Sequence, residues 1–324
     1  MDKNFERIKE LLPSIQENVL LANHTTYKIG GPAKYFFVAK TKQDLITALT
    51  VAKKFKLPIY ILGGGSNVLI SEKGFDGLVI KVQNTEHRIY DLKKIYVEAG
   101  VNITKIAYLS ADIGLSGLEW SVGMPGTIGG AIYGSAQAFG ARISDIVESV
   151  EVVDEKTMKI RNLAKKQCKF SLKNSIFKAN NTPRGANNLV IISAVLDFSQ
   201  KPTEQIKSKI KEFLEYRKTK HPMEFPSAGS VFINPEKVSK EILEKYPELD
   251  YFFKKGPLPA GYLIAKCGLA GKKIGNAQIS EKHANFIINL GEATAEDVLA
   301  LINLAQSEVK KTFGIELEPE VQIL

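Results

Sequence analysis

The amino-acid sequence predicts an α+β fold. Apolar runs of strand length and amphipathic stretches of helix length are mixed along the chain. They do not alternate in the regular strand–helix beat of a doubly wound sheet. The chain closes on a long helical stretch followed by an alternating, strand-like tail.

Each element has a local cause. Thr41 and Asp44 form a capping box that opens a helix running to about Leu57, where Pro58 stops it. Strands are expected at IYIL (59–62), GLVIKV (77–82) and KIYVEAG (94–100). A helix follows over 103–113, then strands at SVEVVD (149–154) and LVIISAVLDF (189–198). A helix from Thr203 to about Lys218 leads into a second region. That region holds a strand at SVFINP (230–235), a short helix at AGYLIAKCG (260–268) and a strand at NFIINL (285–290). A helical insertion is expected over 236–257, as a lid or as a surface elaboration. Thr294 caps and Gly314 ends a long helix over 295–313. In the tail IELEPEVQIL, Leu317, Val321 and Ile323 fall on one face and Glu318, Glu320 and Gln322 on the other. Pro319 implies an edge position or a bulge there.

A length of 324 residues allows two or three domains with a sizeable core. Apolar content of 44% and charged content of 24% are ordinary for a globular protein. No apolar run approaches the roughly 20 residues that span a bilayer. The start, MDKNFERIKELLPSIQ, has no secretory core, so a cytoplasmic protein without a membrane partner is expected. Cys168 and Cys267 form no CxxC pair, and the four histidines show no ligand spacing, so no metal is expected. The net charge of +9 admits anionic ligands. A nucleic-acid partner would rest on that charge alone, because the lysines are dispersed. The group at 207–220 shares its helix with Ile206, Ile210, Phe213 and Leu214 on one face, which places its lysines on a solvated face.

Two glycine-rich loops carry the chemistry. The first is Gly63-Gly64-Gly65-Ser66-Asn67, between two apolar runs. It is neither a P-loop nor a Rossmann fingerprint, and no helix follows it. Either it is a tight strand connection needing positive φ, or its N–H groups and the Ser66 and Asn67 side chains hold an anion. The second loop, SVGMPGTIGGA (121–131), supplies Gly123, Pro125, Gly126, Thr127, Gly129 and Gly130. Two such loops in one basic chain suggest a diphosphate gripped from two sides, as a dinucleotide such as FAD would offer.

The sequence resembles the UDP-N-acetylenolpyruvoylglucosamine reductase (UDP-N-acetylmuramate dehydrogenase) family nearly end to end. The resemblance is carried by TTYKIGGPAKYF, LGGGSNVLI, GLEWSVGMPGTIGGA, SAGSVFINP, AGYLIAKCGLAGKKIGNAQISEKHANFIIN and GIELEPEV, in the family's order and spacing. It implies a two-part FAD-binding module of the vanillyl-alcohol oxidase (PCMH) type followed by an α+β substrate-binding domain. The expected bounds are 1–200 for the module (subdomains about 1–80 and 81–200), 201–310 for the substrate domain and 311–324 for a terminal strand with a catalytic glutamate. The implied reaction is NADPH-dependent reduction of UDP-N-acetylglucosamine-enolpyruvate to UDP-N-acetylmuramate through FAD, in peptidoglycan precursor synthesis. No histidine or cysteine lies in either glycine loop, so non-covalent FAD is expected. The partners expected are the nucleotide sugar and NADPH, acting on a monomer.

Residue by residue, the resemblance implies Ser230 as proton donor and Glu318 as catalytic glutamate, with Glu320 as its rival. Lys173 stands where the family's YRxS carries an arginine, keeping the charge but losing the bidentate fork. Arg217 matches a residue near the flavin, Lys220 one near the substrate phosphates, and Asn234 and Gln278 substrate contacts. Where the family reads NAGAYG or NAGAFG, this chain reads SAQAFG (135–140), which adds bulk and removes glycine's freedom at Gln137. These departures keep two alternatives open: a flavin oxidoreductase of the same fold with an altered substrate, and a non-catalytic flavin- or nucleotide-sugar-binding homologue.

Overall fold

The structure is a computed structural model that describes residues 3–178, 188–254 and 256–324. The chain divides into two compact units. The first comprises Met1–Leu20, Pro32–Gly65 and Gly74–Arg217; the second comprises Leu21–Gly31, Ser66–Lys73 and Lys218–Leu324. The boundary thus falls after Arg217 instead of near residue 200, and two short early segments join the second unit. Residue 255 and residues 179–187 lie outside the described residues.

The first unit holds two sheets. One has four strands in the order Gln16–Leu20, Pro32–Ala39, Phe75–Val82, Ile59–Leu62. Its last three strands are parallel. Pro32–Ala39, the helix Lys42–Lys54 and Ile59–Leu62 therefore make one strand–helix–strand crossover. The later strand Phe75–Val82 inserts between its two strands, which is why the sequence shows no simple alternation. The predicted Thr41–Asp44 capping box starts the helix. The other sheet is antiparallel, in the order Lys159–Ala164, Val147–Asp154, Leu189–Asp197, Lys94–Glu98, His87–Asp91. Buried Leu45, Leu49, Leu78, Ile80, Val97, Ile106, Trp120, Val150 and Ile192 belong to one apolar core. Burying such side chains contributes about 1.5–3 kcal/mol each for the aliphatic ones.

The second unit is built on a four-stranded antiparallel sheet: Ser227–Ser230, Phe286–Asn289, Ala277–Ile279, Lys273–Ile274. The helix Ala295–Phe313 buries Val298, Leu301, Ile302, Ala305, Val309 and Phe313 in this unit's core. Thr294 and Asp297 form its capping box, and Gly314 ends it at φ 70°. The early segment 21–31 is tied in by side chains. The Tyr27 hydroxyl donates to Ile287 O at 2.8 Å, and Asn289 Nδ2 donates to Tyr27 O at 3.0 Å. The insertion at 236–257 forms two short helices, Lys240–Lys245 and Pro247–Phe253. Tyr246 fastens it to the long helix through Thr312 O and the Phe313 ring.

Two strand expectations change. The segment SVFINP is a strand only as far as Ser230. The tail pairs as a strand only at Gln322–Ile323, parallel to Val68–Leu69. Leu317 and Val321 are buried as expected, but Ile323 is 49% exposed. The alternation breaks at Pro319, which cannot donate a ladder hydrogen bond.

Candidate active site

In the first unit the two glycine loops meet. A Cβ on Gly64 would lie 2.6 Å from Pro125 O and 3.1 Å from Gly126 Cα. A Cβ on Gly63 would lie 2.9 Å from Thr127 Oγ1. Neither Gly63 nor Gly64 has positive φ; within the first loop only Gly65 does, at 66°. The glycines at 63 and 64 are therefore required by space, and only Gly65 by its backbone conformation. Lys81, at the end of the central parallel strand, donates its ammonium to Gly63 O at 2.6 Å.

The second loop divides into two parts. Thr127 caps the short helix Ile128–Tyr133 and accepts from Gly130 N–H at 3.2 Å. Gly129 N–H donates to Ala99 O at 2.8 Å, and a Cβ on Gly129 would lie 2.7 Å from Ala99 Cβ. The donors of Gly129 and Gly130 are thus already committed, and Gly129 serves close packing against Ala99. Gly123 (φ 79°), Pro125 and Gly126 form the other part.

Arg217 lies against that part. Its Cδ would be 3.2 Å from a Cβ on Gly123, so glycine there makes room for the arginine. Its guanidinium donates to Trp120 O at 2.9 Å and stands 5.2 Å from the Phe139 ring centroid. Arg217 is only 8% exposed, and its Nε has no partner among the described residues. Burial lowers its pKa, yet an arginine remains charged. A buried cation with an unused donor, beside a glycine-rich loop, fits an anionic dinucleotide.

Phe139 reaches Arg217 because of the hairpin that the altered SAQAFG segment forms. Its ring stacks on Phe213 at 4.2 Å and meets Tyr216 edge-on at 5.2 Å. Left-handed backbone occurs at Ser135 (φ 46°) and Phe139 (φ 53°). Gln137 instead pairs in extended backbone with Arg142. The glutamine thus occupies a position that makes no demand on φ, and the left-handed backbone falls on Ser135 and Phe139.

Lys173 sits in a tight turn closed by Ser171 N–H to Asn174 O at 2.9 Å, with φ 52° at the lysine itself. It is half-buried, and its carbonyl accepts from Lys178 Nζ at 3.1 Å. Ser175 is fixed beneath it by donation to Tyr133 O at 2.7 Å.

The second unit assembles a different group. Ser230 ends its strand opposite Phe286, after a bulge at Gly229 (φ 77°). Beyond Ser230 the chain turns to the tail. Glu320 N–H donates to Val231 O at 2.7 Å, and Ile233 N–H donates to Glu318 O at 2.9 Å. Asn285 clamps Phe232, accepting from its N–H and donating to its carbonyl, both at 2.9 Å. These bonds bring the Ser230 segment beside the Glu318–Glu320 segment, 88 residues later at Glu318. Ser230 and Glu320 are half-buried; Glu318 is exposed.

Other expected contacts are already engaged. Asn67 Nδ2 donates to Glu320 O at 3.2 Å, and Asn67 O accepts from Gln322 N–H at 3.1 Å. Asn67 thereby belongs with the tail, in the second-unit segment Ser66–Lys73. Asn234 Oδ1 accepts from Ala260 N–H at 2.9 Å, where the helix Ala260–Lys266 begins. Gln278 Nε2 donates to Gly271 O at 3.0 Å. Lys220 is exposed at the end of its helix.

Sequence reading missed Lys81, and it missed a histidine pair. His221 and His283 meet edge-on at 5.5 Å, both against Phe286. His283 Nδ1 accepts from Asn285 N–H at 3.2 Å, and burial lowers its pKa. Each of the two histidines follows a lysine, but no spacing links them. Among the described residues no cluster of metal ligands occurs, and no helix is long and apolar enough to cross a membrane.

Known proteins share this organisation. Residues 33–163 match the family model described as an FAD binding domain. Residues 221–324 match the model of the C-terminal domain of UDP-N-acetylenolpyruvoylglucosamine reductase. The chain is 38% identical over 321 residues to the UDP-N-acetylenolpyruvoylglucosamine reductase of Caldanaerobacter subterraneus subsp. tengcongensis, covering 98% of this chain and 97% of that one. It is 40% identical over 306 residues to the enzyme of the same name from Caldicellulosiruptor bescii, covering 94% and 88%. The crystal structure of UDP-N-acetylenolpyruvylglucosamine reductase from Thermus caldophilus superposes with a TM-score of 0.73 at 29% identity, covering 95% of this chain and 99% of that one. The chain is an FAD-dependent oxidoreductase and belongs to the UDP-N-acetylenolpyruvoylglucosamine reductase family.

Proposed function

We infer that this protein reduces UDP-N-acetylglucosamine-enolpyruvate to UDP-N-acetylmuramate, with NADPH as electron donor, in the cytoplasmic stage of peptidoglycan precursor synthesis. The observation that carries the reading beyond flavin binding is the pairing of the Ser230 segment with the Glu318–Glu320 tail. It places a hydroxyl and a carboxyl on adjoining backbone, the two groups that enol-ether reduction asks of the protein.

The residues of the first unit that would hold FAD are Gly63, Gly64, Gly123, Pro125, Gly126 and Arg217, with Gly65 and Thr127 shaping the loops. When bound, FAD supplies the hydride that it has taken from NADPH. Ser230 delivers the proton to the substrate carbon next to the carboxylate, after hydride has reached the methylene carbon. A serine hydroxyl is a weak acid, but the carbon it protonates is far more basic. Glu318 is assigned to the developing enolate as the catalytic glutamate, and Lys173 offsets the enolate's negative charge. Lys220, Asn234 and Gln278 are assigned to the nucleotide-sugar portion. FAD is held without a covalent bond.

The test is anaerobic. Flavin reduced by NADPH should return to its oxidised spectrum on addition of the enolpyruvyl sugar, with one equivalent of UDP-N-acetylmuramate formed. Reduction without return would favour the altered-substrate alternative. Lys173→Arg should then raise the rate of return if the lost bidentate contact limits the reaction.

A further inference from the structure

Lys81 is not accounted for by the reaction above. It lies in the strand Phe75–Val82, paired with Leu62 on one side and Val38 on the other. A lysine in the middle of three parallel strands is unusual, because such strands are covered and apolar. It is half-buried, and burial lowers its pKa. Among the described residues no carboxylate lies within 4.0 Å of it. Its ammonium meets Gly63 O at 2.6 Å. A partly buried cation whose partner is a neutral carbonyl is poorly compensated on its own.

Two consequences follow from that bond. The peptides are trans, so fixing Gly63 O toward Lys81 turns the Gly64 N–H to the opposite side. Gly64 is also the residue that abuts the Pro125–Gly126 backbone of the second loop. The lysine stands at the carboxyl end of a parallel strand, the end at which such sheets receive ligands.

We propose that Lys81 is a positioning residue for the FAD diphosphate: its ammonium fixes the Gly63–Gly64 peptide so that the loop is set for the phosphates, and it brings a positive charge to that loop. The proposal rests on the reading of this chain as an FAD-dependent enzyme. It goes beyond that reading by assigning the electrostatics of the loop to a strand residue outside both glycine motifs.

The test uses the full chain stripped of flavin. FAD is titrated by fluorescence at two ionic strengths into wild type, K81R, K81Q and K81M, and each apoprotein is melted. K81M should weaken FAD binding about 10- to 100-fold and flatten its salt dependence. K81R should remain close to wild type, and K81Q should fall between, because it can still donate to a carbonyl. The melting temperature of apo K81M should not fall, since a poorly compensated charge is removed. FAD bound by K81M as tightly as by wild type would overturn the proposal. So would a fall in melting temperature with the salt dependence unchanged, which is the signature of a packing role alone. Wild-type apoprotein that takes up no FAD would contradict the flavin reading itself, and this role with it.

Discussion

The two units build their functional groups by different means. In the first, the site is made of backbone. Gly63 and Gly64 lie against Pro125–Thr127 with no room for a Cβ, and the side chains that approach are cations, Lys81 and Arg217. In the second, the site is made of side chains held by pairing across long sequence separations: Ser230 by Phe286, and Glu318 and Glu320 by Ile233 and Val231. A dinucleotide needs donors and space, which bare peptide gives. Proton delivery needs a particular group at a particular point, which a clamped strand gives.

That contrast can be broken by single substitutions. The largest expected effect is Ser230→Ala, which should lower turnover about 1,000-fold while leaving FAD affinity unchanged, since general acid catalysis is worth about 10²–10⁴. Steady-state kinetics beside a flavin titration check both halves. Gly64→Ala should do the reverse. Its Cβ would be driven into Pro125 O, 2.6 Å away, a backbone atom that cannot step aside. FAD affinity should fall about 100-fold, with a stability loss of about 1–3 kcal/mol from overpacking.

Asn285→Ala comes next. It would strip both the acceptor and the donor from the Phe232 backbone, a buried pair of bonds at 2.9 Å each. Urea unfolding should show a loss of about 2 kcal/mol, and turnover should fall with Ser230 less firmly held. The smallest expected effect is Ser135→Asn, which restores the family residue at a φ of 46°. Asparagine tolerates left-handed backbone better than serine, so the melting temperature should rise slightly, by about 0.5 kcal/mol in stability. A Ser135→Asn protein no more stable than wild type would show that the altered segment carries no strain.

The first unit was the more legible in the sequence. Its helix start was readable because capping is local: Thr41 and Asp44 lie within four residues. The glycine loops were readable because runs of glycine are rare and chemically specific. Their division of labour was not. Which glycines yield space and which have spent their N–H groups depends on Ala99 and Thr127, and only the folded chain shows that. Lys81 read as an ordinary strand residue, since its partner lies in the loop that follows a neighbouring strand.

The second unit was legible mainly through family resemblance. Nothing local at Ser230 announces that its strand neighbours come from residues 285–286 and 318–321. The tail's alternation suggested one continuous strand, and Pro319 divided it. The inclusion of residues 21–31 in the second unit rests on Tyr27 reaching Ile287, a contact of 260 residues' separation that no sequence period encodes.

The central claim is that the first unit holds the flavin and the second delivers the proton. The most direct measurement follows the two half-reactions of Ser230→Ala without oxygen. NADPH should bleach the flavin at the wild-type rate, and the enolpyruvyl sugar should then restore its colour about 1,000-fold more slowly than in wild type. Reoxidation at the wild-type rate, or an equal loss in both half-reactions, would contradict the division.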